Sequence, residues 1–101
     1  MAVKRPYIVL TFVISEEDGQ FVSKCRELGT ASCGDTFEEA AKNLREAVEV
    51  HLDALEQLGE RERYFQERDI QVYTRAQAAR SQPAPVETEP DSWVRREAVG
   101  V

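Results

Sequence analysis

Apolar residues dominate the first strand-like run of the chain, residues 7–14. Its β-branched and aromatic side chains fall on both faces of an extended backbone, which is typical of a strand in the centre of a sheet. An acidic segment ending in Asp18-Gly19 follows, and Asp-Gly strongly favours a two-residue hairpin turn. Residues 20–25 then alternate between the two faces. The pattern therefore predicts an antiparallel hairpin, with a short third strand over residues 30–34.

From Phe37 onward the apolar spacing changes from two residues to three and four, the periodicity of a helix that buries one side. The stripe consists of Phe37, Ala41, Leu44, Val48, Leu52 and Leu55. Thr36 and Glu39 have the spacing of a capping box, in which each side chain accepts a hydrogen bond from a backbone N–H at the start of the helix. Gly59 suits the left-handed residue that follows a helix. These signals predict a helix over about residues 36–58, roughly 33 Å long.

The remainder of the chain changes character twice. Residues 60–68 form a charged connector, for which another turn of helix is left open, and residues 69–74 have the alternation of a fourth strand. From residue 75 onward the chain contains three prolines and no periodicity, which predicts a flexible C-terminal tail over residues 75–101 with Trp93 as an aromatic anchor. We therefore expect an α+β fold of order β-β-β-α-β. Residues 1–74 would form a small two-layer domain, with one long helix against an antiparallel sheet.

Charge narrows the possible functions. The 101 residues include 13 Lys and Arg against 19 Asp and Glu, a net charge of −6, which lacks the basic footprint of a nucleic-acid-binding protein. Two-thirds of that net charge lies in the predicted helix, which contains six acidic residues and two basic ones, Lys42 and Arg45. Those acids are Glu38, Glu39, Glu46, Glu49, Asp53 and Glu56. They form either an ordinary solvated helix face or a docking surface for a basic partner.

Groups suited to catalysis are sparse. His51 is the only histidine and lies beside the apolar stripe, so a structural or surface position is the favoured interpretation. Cys25 and Cys33 are interpreted as buried, reduced thiols, with a reversible disulfide between them left open. One histidine and two cysteines cannot supply four zinc ligands, and we expect no metal and no cofactor. The apolar run near the N-terminus is too short to span a membrane and precedes no cleavage signal, which predicts a cytoplasmic protein.

The order of these features resembles the HicB-like antitoxin family over about residues 5–60. The similarity is carried by YIV at residues 7–9, EDGQFV at 17–22, CRELG at 25–29, GDTFEEA at 34–40, NL at 43–44 and EA at 46–47. Each segment alone is weakly specific, whereas all of them in register make a specific match. The resemblance implies the antitoxin half of a type II toxin–antitoxin pair. It also implies a partial ribonuclease-H-like domain, antitoxin oligomers, and a partner that is HicA, a small basic ribonuclease that cleaves mRNA.

The chain departs from the family at two places. Arg26 stands where many members have proline, and residues 75–101 show neither a basic cluster nor the helix pair of the DNA-binding elements that commonly end family members. Direct nucleic-acid binding is therefore not expected. Ribonuclease-H-type catalysis is not expected either, because it requires converging carboxylates on two metal ions and residues 7–14 contain none.

The sequence thus predicts a non-enzymatic antitoxin-like module that binds and neutralises a HicA-like toxin. The partner-binding residues would be Glu39, Glu46, Glu49 and Asp53 on the helix, with Trp93 in the tail. The alternative is a stand-alone homo-oligomeric scaffold or sensor without a toxin partner.

Overall fold

In the computed structural model of the chain, one antiparallel sheet carries two helices on one face. The structure describes residues 6–73, 84–86 and 89–101, with side chains described over 6–73 and 92–101. The strands are β1 (Tyr7–Glu17), β2 (Gln20–Cys25), β3 (Ala31–Gly34), β4 (Val72–Tyr73), β5 (Ala84–Val86) and β6 (Glu89–Gly100). The helices are α1 (Phe37–Gln57) and α2 (Arg61–Glu67). The predicted α+β class and antiparallel sheet are confirmed.

The sheet is built around β1. Its strand order is β3-β2-β1-β6-β5, and β4 also pairs with β1. Strand β6 runs antiparallel along β1 from the pair Tyr7–Gly100 to the pair Ser15–Ser92. The central position predicted for β1 from its two apolar faces is therefore confirmed, with β2 and β6 on either side.

The β1–β2 hairpin closes as the sequence predicted. Asp18 and Gly19 both have positive φ angles, 55° and 79°. Two consecutive left-handed residues are the requirement of a type I′ turn, whose twist matches that of the strands it joins. Asp tolerates this conformation better than most side chains, and Gly adopts it at no steric cost.

Both ends of α1 are capped. The Thr36 hydroxyl accepts a hydrogen bond from the Glu39 N–H at 3.1 Å. The Glu39 carboxylate accepts a hydrogen bond from the Asp35 N–H at 3.0 Å, whereas a capping box predicts a bond from the N–H of the cap residue itself, one position later. At the other end the N–H groups of Gly59 and Glu60 donate to the carbonyls of residues 56 and 55, the bond pattern of a Schellman motif. Local sequence signals therefore set the length of this helix.

The core lies between β1 and α1. The even-numbered side chains of β1, from Ile8 to Ile14, are fully buried. They face the stripe of α1, where Leu44, Val48 and Leu52 are also buried. The helical turn left open for the connector over residues 60–68 is present as α2, and its Phe65 joins the same core.

The prediction of a flexible tail over residues 75–101 is wrong for its strands β5 and β6. Twelve residues, Glu89–Gly100, form β6 and pair with β1. The strand was missed because two of the side chains that it turns toward α1, Arg95 and Glu97, are charged, so that face has no hydrophobic alternation to detect. The predicted fourth strand is reduced to Val72–Tyr73. The tail prediction for residues 75–83 and 87–88, and the strand prediction for residue 74, fall outside the described residues.

Candidate interaction surfaces

The outward face of α1 presents carboxylates around one exposed valine. Glu46, Glu49, Val50 and Asp53, here termed the acidic ridge, recur at spacings of three and four and so share one side of the helix. Val50 is 69% exposed and lies between Glu46 and Asp53. Among the described residues the side chains of Glu46 and Asp53 have no ion pair or hydrogen bond. Glu49 lies 3.7 Å from Arg45, an exposed pair of little energetic weight. The structure therefore brings together three of the four predicted helix acids.

The fourth predicted acid, Glu39, serves the helix cap. Its carboxylate accepts the Asp35 N–H, and it lies two turns before the start of the acidic ridge. Its position along α1 is about 21 Å from that of Asp53. Glu39 is still exposed, but its role in the cap ties it to the fold.

Trp93, predicted as an anchor in a flexible tail, instead lies in β6. Its ring packs edge-on against Phe37 at a centroid distance of 5.9 Å, and Phe37 packs edge-on against Phe21 at 6.3 Å. The three rings span β2, α1 and β6. The half-buried Trp93 therefore joins the C-terminal strand to the start of the helix.

A charged cluster that the sequence did not reveal holds β6 against α1. Glu97 is only 6% exposed, and its two carboxylate oxygens lie 2.8 Å from Arg45 Nη1 and 2.9 Å from Arg95 Nε. Arg45 Nη2 also donates to the Ala98 carbonyl at 3.0 Å, and Arg95 reaches Glu38 at 3.4 Å. Burying Glu97 is tolerated because two guanidinium groups compensate its charge. The only signal in the sequence is the period-two spacing of Trp93, Arg95, Glu97 and Val99.

The opposite face of the sheet carries neither described helix. This open sheet face consists of Val9, Val13, Val22, Lys24, Val94 and Arg96, with Thr11 and Ser15 between them. Val13 pairs with Val94 on one side and with Lys24 on the other. A depression of about 490 Å³ lies along part of it, lined by residues that include Val13, Val22 and Lys24. The face combines half-buried valines with two exposed cationic residues, Lys24 and Arg96.

The carboxylate of Glu27 accepts hydrogen bonds at a gap along the edge of β1, next to this face. Both oxygens of Glu27 accept hydrogen bonds from Thr11, one from its N–H and one from its hydroxyl, each at 2.8 Å. Strand β2 pairs with β1 only from Phe12 onward, and β4 pairs only with Tyr7 and Ile8. Glu27 therefore accepts a backbone bond that a neighbouring strand would otherwise take, which satisfies a polar group at a gap in the sheet.

The two cysteines lie on opposite faces of the sheet. Cys25 is buried in the core, as predicted, and burial raises the pKa of its thiol, with the nearby Glu27 charge acting in the same direction. The prediction of burial is wrong for Cys33, which is exposed on β3 and shares the open side with its partner Val22. A disulfide between them would require the strands to rearrange, because their Cβ atoms point apart.

His51 has a structural contact, in line with the favoured interpretation. Its Nε2 lies 3.3 Å from the Tyr64 hydroxyl, and that hydroxyl donates to the Leu28 carbonyl at 3.4 Å. The Arg68 guanidinium stacks over the Tyr64 ring at 4.4 Å. His51 and Tyr64 together tie α1, α2 and the loop after β2 to one another.

Within the described ranges, no group of three or more His, Cys, Asp or Glu side chains is arranged to hold a metal ion. In the same part of the chain, neither helix has the length and apolar character needed to cross a membrane. No family model matches the chain, and no curated protein or solved structure is detectably similar to it.

Proposed function

We propose that this chain is an antitoxin-like interaction module that binds and neutralises a small, basic, HicA-like ribonuclease. The acidic ridge of α1 would contact the cationic RNA-binding surface of the ribonuclease and exclude mRNA from it. Val50, at the centre of the ridge, would supply the apolar contact that a specific interface needs at its core. The proposal assigns no reaction to the chain itself, and it places the chain in the cytoplasm with its target.

The observation that carries the proposal is the exposure of the ridge carboxylates. Glu46 and Asp53 are exposed and make no ion pair with another described residue, so binding a cationic protein would break no internal pair of theirs. Opposite charges across an interface accelerate association and select against wrong partners. A surface of this kind favours a basic macromolecule over a small neutral ligand.

The residues that resemble the family support the proposal in a second way. They form one contiguous unit, β1-β2-β3-α1, in which the run at 34–40 makes the junction of β3 with α1. A partial ribonuclease-H-like domain remains part of the proposal. It concerns this unit only, because β6 lies outside the residues that carry the resemblance.

Mixing the chain with the neighbouring gene product tests the proposal. We expect a small basic protein to be encoded next to this chain, to cleave mRNA alone, and to lose that activity when the chain is added. The double variant Glu46→Lys with Asp53→Lys should weaken binding by roughly 10- to 100-fold and restore cleavage.

A matched control carries the same change in charge elsewhere. Glu16→Lys with Glu62→Lys alters two exposed acids outside α1 and should bind almost as the unaltered chain does. Equal binding by both double variants, or no effect of the chain on cleavage, would contradict the proposal.

The alternative function, a homo-oligomeric protein without a toxin partner, is favoured by one observation. The valines of the open sheet face are only partly buried, and neither described helix packs on them. Absence of any small basic neighbour, together with stable self-association, would favour this alternative.

A further inference from the structure

Among the described residues, the two most exposed large apolar side chains both belong to α1. Val50 is 69% exposed, and Leu58, the C-cap residue, is 70% exposed. Ala54 lies midway between them, four residues from each, and is exposed as well. These three residues, here termed the outer stripe, extend over about 12 Å along the helix. A row of exposed apolar side chains rimmed by charges is typical of a surface that binds another macromolecule.

The outer stripe has the shape that receives a side chain from a neighbouring helix. Because Ala54 carries only a methyl group, a recess lies between the longer Val50 and Leu58 side chains. The hole that accepts one side chain of a coiled-coil partner is formed by four residues at this spacing, here Val50, Asp53, Ala54 and Gln57. A helix aligned along α1 repeats its side chains about every 5.4 Å, as the holes do. One face of a strand repeats about every 6.7 Å and loses register.

Unpaired charge borders the outer stripe on one side. Glu46 and Asp53 lie on the side of Arg45, which contacts β6, and they are seven residues apart, about 10.5 Å along the helix. Both are exposed and make no ion pair with another described residue. On the other side the neighbouring side chain is His51, which contacts Tyr64 of α2. A helix that fits this surface should therefore carry two cations, seven residues apart, on one side of its apolar stripe.

A second copy of α1 does not meet this requirement. In an antiparallel pair related by a two-fold axis, the acidic side of one helix faces the acidic side of the other, where like charges oppose association. In a parallel pair the acids would face the side of His51, where α1 has no Lys or Arg. Both cations of the helix, Lys42 and Arg45, lie toward β6, where they line one depression with Arg95.

We infer that the outer stripe binds an amphipathic helix of the basic partner, which inserts an apolar side chain above Ala54 and pairs two cations with Glu46 and Asp53. This inference rests on the proposed function, because it names the element of the basic protein that meets the same surface of α1. A contact through charge alone would leave Val50 and Leu58 in water. A helix aligned along α1 covers both of these side chains and reaches both carboxylates at once.

Peptide binding tests the helical geometry without the ribonuclease. The probe is a synthetic peptide of three heptads, with leucines at positions a and d and one lysine per heptad on one side of that stripe. One control peptide moves the lysines to the side opposite the leucines, and another has a central proline, which breaks the helix. Fluorescence anisotropy at low labelled-peptide concentration should give a Kd of roughly 10 to 100 µM for the first peptide and values at least about 10-fold higher for both controls. Equal binding of the three peptides, or none by the first, would overturn the inference.

Variants of the chain identify the surface. Val50→Gln with Leu58→Gln removes the apolar side chains at unchanged charge and should weaken peptide binding by about 10-fold or more. Ala54→Gln fills the recess, also at unchanged charge, and should weaken binding by a similar factor. Val72→Gln on β4 and Ala31→Gln on β3 are matched changes at exposed positions and should bind as the unaltered chain does. If Ala54→Gln binds as the two controls do, no side chain enters the recess and the inference is wrong.

Repeating the series with the neighbouring basic ribonuclease separates this inference from the proposed function. If the double charge reversal of the acidic ridge releases the ribonuclease while the Gln variants of the outer stripe retain it, charge alone carries binding. The proposed function then stands and the docked helix is refuted. If the peptides bind in the expected order but the ribonuclease does not bind, the proposed function fails and the surface accepts a basic helix of a different protein.

Discussion

Burial acts on Glu97 and Cys25 in different ways. Glu97 remains in contact with two guanidinium groups, so removing its carboxylate would leave the half-buried Arg45 and Arg95 with only the exposed Glu49 and Glu38 as counter-charges, a loss of about 1 to 3 kcal/mol. The same contacts also fix register. A slip of β6 by one residue would turn Arg95 and Glu97 away from α1, toward the open sheet face. This cluster therefore contributes to specifying where the C-terminal strand pairs.

Cys25 makes the stability of the fold depend on pH. Its thiol pKa is raised from the ordinary 9.0, chiefly by burial, so the native state holds the proton where the unfolded chain has lost it. The stabilising contribution is complete below pH 9.0 and is lost as the pH rises toward the native pKa. Urea unfolding in a reducing buffer should show the free energy of unfolding decreasing above pH 9.0, by at most about 1.4 kcal/mol per pH unit.

Two alanine variants separate this contribution from that of other titrating groups. Cys25→Ala should flatten the decrease, whereas Cys33→Ala, at an exposed thiol, should retain it. The same pH profile in both variants would contradict a role for the buried thiol.

Among the elements, α1 depends most on local sequence. Its N-terminus rests on the Thr36 hydroxyl, its C-terminus on the Schellman bonds, and its buried side on a regular stripe. Gly34, two residues before the cap residue Thr36, allows the helix to start close to the sheet. A Cβ there would lie 2.6 Å from the Ala40 nitrogen, closer than atoms can approach. The bounds of α1 could therefore be predicted to within a residue or two.

Removing the cap should destabilise the whole domain, because α1 covers the core. Thr36→Ala loses the acceptor for the Glu39 N–H and should lower the free energy of unfolding by about 1 kcal/mol. Urea denaturation measures this directly. Gln57→Ala, an exposed change on the same helix, serves as the control and should be nearly neutral. A Thr36→Ala variant as stable as the control would show that the hydroxyl contributes nothing to the helix.

At the scale of the molecule, the C-terminal strand belongs to the core sheet. Strand β6 lies along almost the full length of β1, and Val99 is buried in the same cluster as Ile8 and Leu10. The division into a domain and a tail, drawn from the prolines and the loss of periodicity, therefore does not describe residues 92–100. This strand was also the least accessible to prediction, since its partner is at the other end of the chain.

Hydrogen exchange distinguishes a strand from a tail. Those backbone amides of residues 92–99 that point toward β1, every second one in an antiparallel pair, should take up deuterium as slowly as those of β1, because hydrogen bonds within a sheet must open before exchange occurs. The hairpin turn at residues 18–19 provides a fast-exchanging internal reference. If residues 92–99 exchange as quickly as the turn, the pairing of β6 with β1 is refuted.

What the sequence alone determined is local. The β1–β2 hairpin follows from two adjacent residues that accept positive φ, and α1 follows from caps within four residues of its ends. What only the tertiary structure decided depends on residues distant in sequence. Glu97 pairs with Arg45, which is 52 positions away in the sequence, and Trp93 packs on Phe37. The two cysteines lie on opposite faces of the sheet. In a sequence, a buried charged residue cannot be distinguished from an exposed one unless its partner is known. For that physical reason the last strand could be identified only from the tertiary structure.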